Sequence, residues 1–169
     1  AVVVTATFEK DDNGTVNLTN PLSMQLFVLN ADPTVGADVH FLNTGVPHAV
    51  AFLDKLEGLD ISRLGAYLRY HEAFSPKGTN ANFARILSPG HIAIRTYERG
   101  VEDETLACGT GMTACALLHA VLTDAPSPIQ VDVAGGDTLK VGFQRTGDRF
   151  TDVTLTGPAD LVFTGDIQI

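Results

Sequence analysis

Apolar and polar residues alternate along most of the chain in short runs, which is the pattern of strands with one covered face. Ala1–Phe8 is rich in Val and Thr, and Asp11-Asp12-Asn13-Gly14 follows as a turn. Val16–Leu18 and Met24–Leu29 predict further strands, separated by Asn20-Pro21. Val39–Leu42 and His48–Leu53 flank a break at Gly45-Val46-Pro47. Asn82–Leu87 and Ile92–Tyr97 form a hairpin across Ser88-Pro89-Gly90. Two more hairpins close the chain. Ile129–Val133 turns through Gly135-Gly136 to Leu139–Phe143, and Val153–Leu155 leads through Gly157-Pro158 to Leu161–Phe163.

Two segments break this alternation. Asp60 is an N-cap, and Ile61, Leu64, Tyr67 and Leu68 recur at helical spacing, which predicts an amphipathic surface helix over 61–72. Thr110 to Leu122 is apolar nearly all round and predicts a helix buried on every side. About ten short strands and one buried helix give an α+β fold, a curved and mostly antiparallel sheet or barrel wrapped around that helix. The chain has no internal repeat and no low-complexity linker, so it reads as one domain over 1–169.

Composition narrows the partners. The 169 residues carry 44% hydrophobic and 18% charged side chains, a globular balance. Lys+Arg is 11 against Asp+Glu of 20, a net charge of −9, which disfavours nucleic acid and anionic membranes. No apolar run reaches the roughly 20 residues of a membrane span, and Ala1–Phe8 lacks the basic flank of a signal peptide. The two cysteines, Cys108 and Cys115, lie seven apart on one helix, roughly 10 Å between Cα atoms and too far for a disulfide. Free thiols fit a reducing cytoplasm.

Glu104-Thr105-Leu106-Ala107-Cys108-Gly109-Thr110-Gly111 carries the candidate chemistry. It places Cys108 at the entrance of the buried helix, where unpaired N–H groups and the positive dipole end favour an anion. Those groups can shift the thiol toward thiolate or hold a carboxylate or developing enolate. The same turn also fits a plain buried cysteine at a tight helix start. Cys115 reads as a small core residue. Cys115 and His119, four apart, suggest a metal pair, but no further ligand is spaced nearby. Glu102, Asp103 and Glu104 read as favourable charges ahead of a helix N-terminus. His48, Asn80 and the pair Glu98-Arg99 are weak signals singly, more often structural than functional.

Together these residues resemble the diaminopimelate epimerase family. The likeness rests on Asn43-Thr44-Gly45-Val46-Pro47-His48, Gly78-Thr79-Asn80-Ala81-Asn82-Phe83, Tyr97-Glu98-Arg99-Gly100 and the Cys108 motif, with Gly135-Gly136-Asp137 and Thr156-Gly157-Pro158-Ala159 in support. It implies that the chain is the C-terminal lobe of a two-lobe enzyme whose N-terminal lobe is absent here. Such enzymes interconvert L,L- and meso-diaminopimelate, a step toward lysine and peptidoglycan, with two facing thiols and no cofactor or metal. By resemblance Cys108 is one acid/base thiol, and His48 and Glu98 lie beside the reacting centre and tune it. The N–H groups of Gly109 and Thr110 bind the reacting carboxylate. Asn80, Glu98 and Arg99 bind the substrate's other polar groups, with Arg99 on the distal carboxylate.

Many family members have Gly-Asn-Pro-His where this chain has Gly45-Val46-Pro47-His48, so that asparagine contact is missing unless Asn43 reaches in. The rivals are a proline racemase or hydroxyproline epimerase lobe, which shares the Cys-Gly-Thr-Gly motif, and a non-catalytic binding fragment. A phenazine-type isomerase of the same fold would lack the cysteine. One thiol cannot serve both faces of a carbon, so the isolated chain is expected to be inactive unless a homodimer pairs two copies of Cys108. The last strand, near Leu161–Ile169, is expected to pack with the absent lobe.

Overall fold

The computed structural model describes residues 5–8, 13–160 and 165–166. Its strands are β1 (Ala6–Phe8), β2 (Asn13–Asn17), β3 (Leu22–Asp32), β4 (Ala37–Asn43), β5 (Pro47–Phe52), β6 (Asn80–Ser88), β7 (His91–Glu98), β8 (Asp103–Thr105), β9 (Ile129–Asp132), β10 (Thr138–Thr146) and β11 (Arg149–Pro158). The helices are α1 (Ile61–Tyr70) and α2 (Gly109–Thr123), with a 3-10 turn over Glu72–Phe74. All strands join one sheet in the order β1-β2-β11-β10-β9-β7-β6-β5-β4-β3, and β8 pairs β7 off this path. Pairing is antiparallel except at β5–β6 and β7–β9. Those two parallel steps are where the chain crosses over through α1 and through α2, because parallel strands need a long connection.

The α+β reading holds, and the sheet curves around one central helix. Helix α2 lies against β4, β5, β6, β7, β9, β10 and β11. Its residues Gly111 to Ala120 are all buried, so the sequence that is apolar all round has walls on all sides. Leu117 and Leu118 pack there with Ile92, Ile129, Val131, Val141 and Val153. A second core lies on the other face of the sheet. There Ile61, Leu64 and Leu68 of α1 cover Ala81, Phe83 and Tyr97. Gly65 is buried in this contact, and any Cβ at that position would run into the Tyr97 side chain.

The structure departs from the sequence reading at several places. The sheet is not a closed barrel: β1 and β3 remain as edges. Strand β3 breaks register with β4 three times and has positive φ at Ser23, Phe27 and Ala31, an irregular edge that discourages further pairing. Helix α1 ends at Tyr70, because His71 turns extended and its ring Nδ1 accepts from Ala73 N–H to start the 3-10 turn. Gly157-Pro158 is not a turn but the end of β11, paired with Gly14 and Asn13 of β2. Its predicted partner strand, Leu161–Phe163, lies outside the described residues, as does most of 161–169 and the start of the Ala1–Phe8 strand. None of the described helices is long and apolar enough to cross a membrane.

Candidate functional site

The ends of β5, β6 and β7 converge on the start of α2. His48 opposes Asn80 in the parallel register of β5 and β6, and Thr96 of β7 stands opposite Asn82. His48, Asn80, Asn82 and Thr96 are all buried. With side chains alternating between faces, His48, Asn80 and Asn82 share the face that looks onto α2. Cys108 is the N-cap of α2, in extended conformation with φ −138° and ψ 105°. Asp124 ends the helix in the left-handed region.

The Cys108 thiol is enclosed, with 9% of the residue exposed. Burial pushes it above the ordinary thiol range; the Thr110 hydroxyl and the N–H groups of Gly111 and Thr110 pull the other way, and the Glu98 charge adds to the rise. The expected shift toward thiolate is thus reversed in this domain. The helix-terminal donors are present, but desolvation of the charged form outweighs them. Cys115 is fully buried two turns further along, and burial drives its thiol well above the usual range. It is a core residue, sealed from solvent.

A chain of polar groups backs the thiol. Thr110 Oγ1 lies 3.6 Å from Cys108 Sγ and 3.0 Å from His48 Nε2. Asn82 Nδ2 lies 3.1 Å from His48 Nδ1 and donates to the Ala49 carbonyl at 3.0 Å. Thr96 Oγ1 donates to Asn82 Oδ1 at 3.0 Å. Burial, then the charge of Arg99, lowers His48 to about 3, so the imidazole stays neutral through the physiological range. The Thr44 hydroxyl donates to the Thr110 carbonyl at 3.0 Å and ties the β4–β5 loop to the helix start.

The structure thus brings His48, Thr110, Gly109 and Cys108 together. It places Glu98 close enough to the thiol to raise the thiol's pKa and Arg99 close enough to His48 to lower the imidazole's. Asn80 acts as a clamp. Its Oδ1 accepts from the Arg99 N–H at 2.7 Å and its Nδ2 donates to the Pro47 carbonyl at 3.1 Å. Arg99 is half-buried and donates to the Lys77 carbonyl at 3.2 Å; no carboxylate among the described residues pairs with it. Glu98 and Arg99 are therefore not a mutual ion pair. A cavity of about 430 Å3 shares Arg99, Gly45 and Pro47 with the site and is also lined by Gln25, Asn43 and Lys77. Asn43 does line this space, although its Oδ1 already accepts from Gly45 N–H at 3.0 Å.

Three acidic residues have other work than the helix terminus. Glu104 grips Arg95 through both oxygens, at 2.7 and 2.6 Å. Glu102 meets Arg69 at 3.1 Å, and Asp103 accepts from Ser62. They pin β8 and its loop to β7 and α1. His119 likewise serves the core, with Nε2 2.8 Å from the Pro89 carbonyl and Nδ1 3.3 Å from the Thr123 hydroxyl. No cluster of three or more potential metal ligands occurs among the described residues. Asn82 and Thr96 were passed over in the sequence. The signal was there: Asn80-Ala81-Asn82 alternates in a strand that is otherwise apolar, which sends both amides to the face of the Cys108 helix.

Comparison with known proteins shows the family. The family model described as diaminopimelate epimerase matches residues 40–162, which include every residue of the site. A diaminopimelate epimerase from Chlorobaculum tepidum is 45% identical over 131 residues, covering 77% of this chain and 50% of that protein. One from Aquifex aeolicus is 39% identical over 168 residues, covering 99% and 59%. The chain thus spans about half the length of the curated relatives it matches. Among solved structures, a hydroxyproline epimerase from Agrobacterium vitis superposes with a TM-score of 0.67 at 20% identity, over 92% of this chain and 53% of that one. At that identity the likeness establishes the fold alone.

Proposed function

We propose, from the premise that the chain belongs to the diaminopimelate epimerase family, that it forms the C-terminal lobe of an enzyme that inverts the α-carbon of diaminopimelate. In this reading the Cys108 thiolate removes the α-proton on one face, or its thiol returns one, while a second thiol does the opposite on the other face. The N–H groups of Gly109 and Thr110 at the start of α2 stabilise the enolate-like carboxylate. Neutral His48 and the charge of Glu98 set the thiol's proton affinity. Arg99 takes the distal carboxylate from the side of the cavity, and Asn80 holds Arg99 in place. The substrate is a small molecule, and neither cofactor nor metal takes part.

The observation that carries this reading is Cys108 capping a buried helix, with His48 and Thr110 behind the thiol and the Arg99 guanidinium, unpaired with any carboxylate among the described residues, near His48. It also limits the chain. The second thiol is not Cys115, which is sealed in the core. It comes from a partner lobe, or from a second copy in a homodimer that sets two Cys108 residues face to face. The 169 residues alone are therefore expected to turn over little substrate.

Deuterium uptake at Cα in heavy water tests this. The chain is incubated with L,L-diaminopimelate, alone and as a chimera in which it replaces its matched segment of a curated relative, with proline as control. Uptake from diaminopimelate in the chimera supports the assignment. Uptake from proline instead, or none in the chimera, refutes it.

A further inference from the structure

The polar chain behind Cys108 has a direction that can be worked out atom by atom. The Ala49 carbonyl can only accept, so the Asn82 group 3.0 Å from it must be the NH2 end of the amide. Thr96, whose hydroxyl donates to the other end, agrees with that orientation. The second Asn82 N–H then points at His48 Nδ1, which must accept and so carries no proton. Neutral His48 holds its one ring proton on Nε2 and donates it to Thr110 Oγ1. The Thr110 hydroxyl, with a lone pair committed to His48, has its own proton free for the sulfur 3.6 Å away.

We propose that Asn82 is a positioning residue which, through the tautomer of His48, aims the Thr110 hydroxyl proton at the Cys108 sulfur. The hydroxyl is thereby a fixed donor that stabilises the thiolate, and His48 is not the base that deprotonates the thiol. The full burial of His48 and Asn82 supports this, because such groups keep one hydrogen-bonding pattern. The other groups acting on the thiol are the N–H groups of Gly111 and Thr110 and the charge of Glu98, none of which depends on the His48 tautomer. The catalytic consequence rests on the proposed role of Cys108, but the proton arrangement does not.

The test is made on the 169-residue chain without substrate, so it is separate from the exchange assay. Long-range 15N–1H NMR reads the tautomer of His48 in the unaltered protein. The Nε2–H form is expected, and the Nδ1–H form or an imidazolium at pH 7 overturns the proposal. The second readout is the rate of Cys108 alkylation by iodoacetamide as a function of pH. Thr110→Val is expected to slow it about tenfold at pH 7, as loss of one charge-assisted hydrogen bond would, and Thr110→Ser to restore it. Asn82→Leu is expected to slow it similarly, and the double variant no further, since both remove the same donor. Unchanged rates in Thr110→Val, or full additivity in the double variant, overturn the proposal. The NMR result stands even where Asn82→Leu fails to fold.

Discussion

Gly111→Ala tests the site's packing and its hydrogen bonds together. A Cβ at position 111 would stand 2.5 Å from Asn82 Oδ1 and 3.4 Å from Cys108 Sγ. Relief requires the first contact to open by roughly 0.7–1 Å. Asn82 cannot yield freely, because it is fully buried and bound to Thr96, His48 and Ala49. Overpacking of this kind costs about 1–3 kcal/mol, and a buried polar atom stripped of its partner costs about as much. Alanine's better helix propensity offsets about 1 kcal/mol of this at most. The net expectation is a loss of about 1–5 kcal/mol, which at about 2–4 °C per kcal/mol lowers Tm by at least roughly 2 °C for a chain of this size. Urea denaturation measures it, with Gly90→Ala as the control. Gly90 has nothing within 4 Å of its added Cβ and no positive φ, so that variant should stay within about 0.5 kcal/mol of the parent. Gly111→Ala as stable as Gly90→Ala would refute the packing account of the Asn82 cluster.

Acid should weaken the fold through His48. Its folded pKa of about 3 lies below the ordinary 6.5, so its contribution is complete above pH 6.5 and is lost as pH falls toward 3. Burial also lowers His40 and His119, so they act in the same direction. Denaturation at pH 7 and pH 4.5 should differ by on the order of 2 kcal/mol from His48, and a His48→Gln variant should show a correspondingly shallower slope; an equal slope would contradict the assignment. Leu117→Ala, fully buried in α2, should cost about 2–5 kcal/mol by the same unfolding assay. Glu98→Gln removes a charge that raises the Cys108 thiol, so it should speed alkylation of Cys108 near neutral pH.

Where hydrophobic periodicity was strong, the sequence was a good guide. The all-round apolar helix 110–122 appears as α2 over 109–123, and the hairpin across Ser88-Pro89-Gly90 joins β6 and β7. Strand β8 was invisible because Asp-Glu-Thr carries no apolar alternation; tertiary pairs, above all Glu104–Arg95, hold it in the sheet. Gly157-Pro158 reads as a turn by composition, yet Pro158 is tolerated as the last residue of β11, at the end of the strand. At the site, the helix entrance was legible from Cys-Gly-Thr-Gly. The reactivity of the thiol was not, because it depends on how deeply neighbouring strands bury Cys108. Nor was the partnership of His48, Asn82 and Thr110, which spans 62 residues of sequence and exists only through sheet register.

The central claim is that Cys108, and not Cys115, exchanges the α-proton of diaminopimelate. The most direct measurement is deuterium uptake at Cα in heavy water by the chimera carrying Cys108→Ala or Cys115→Ala. The account predicts that Cys108→Ala abolishes uptake while Cys115→Ala retains it. Uptake that survives loss of Cys108, or that is abolished in a folded Cys115→Ala protein, would contradict it.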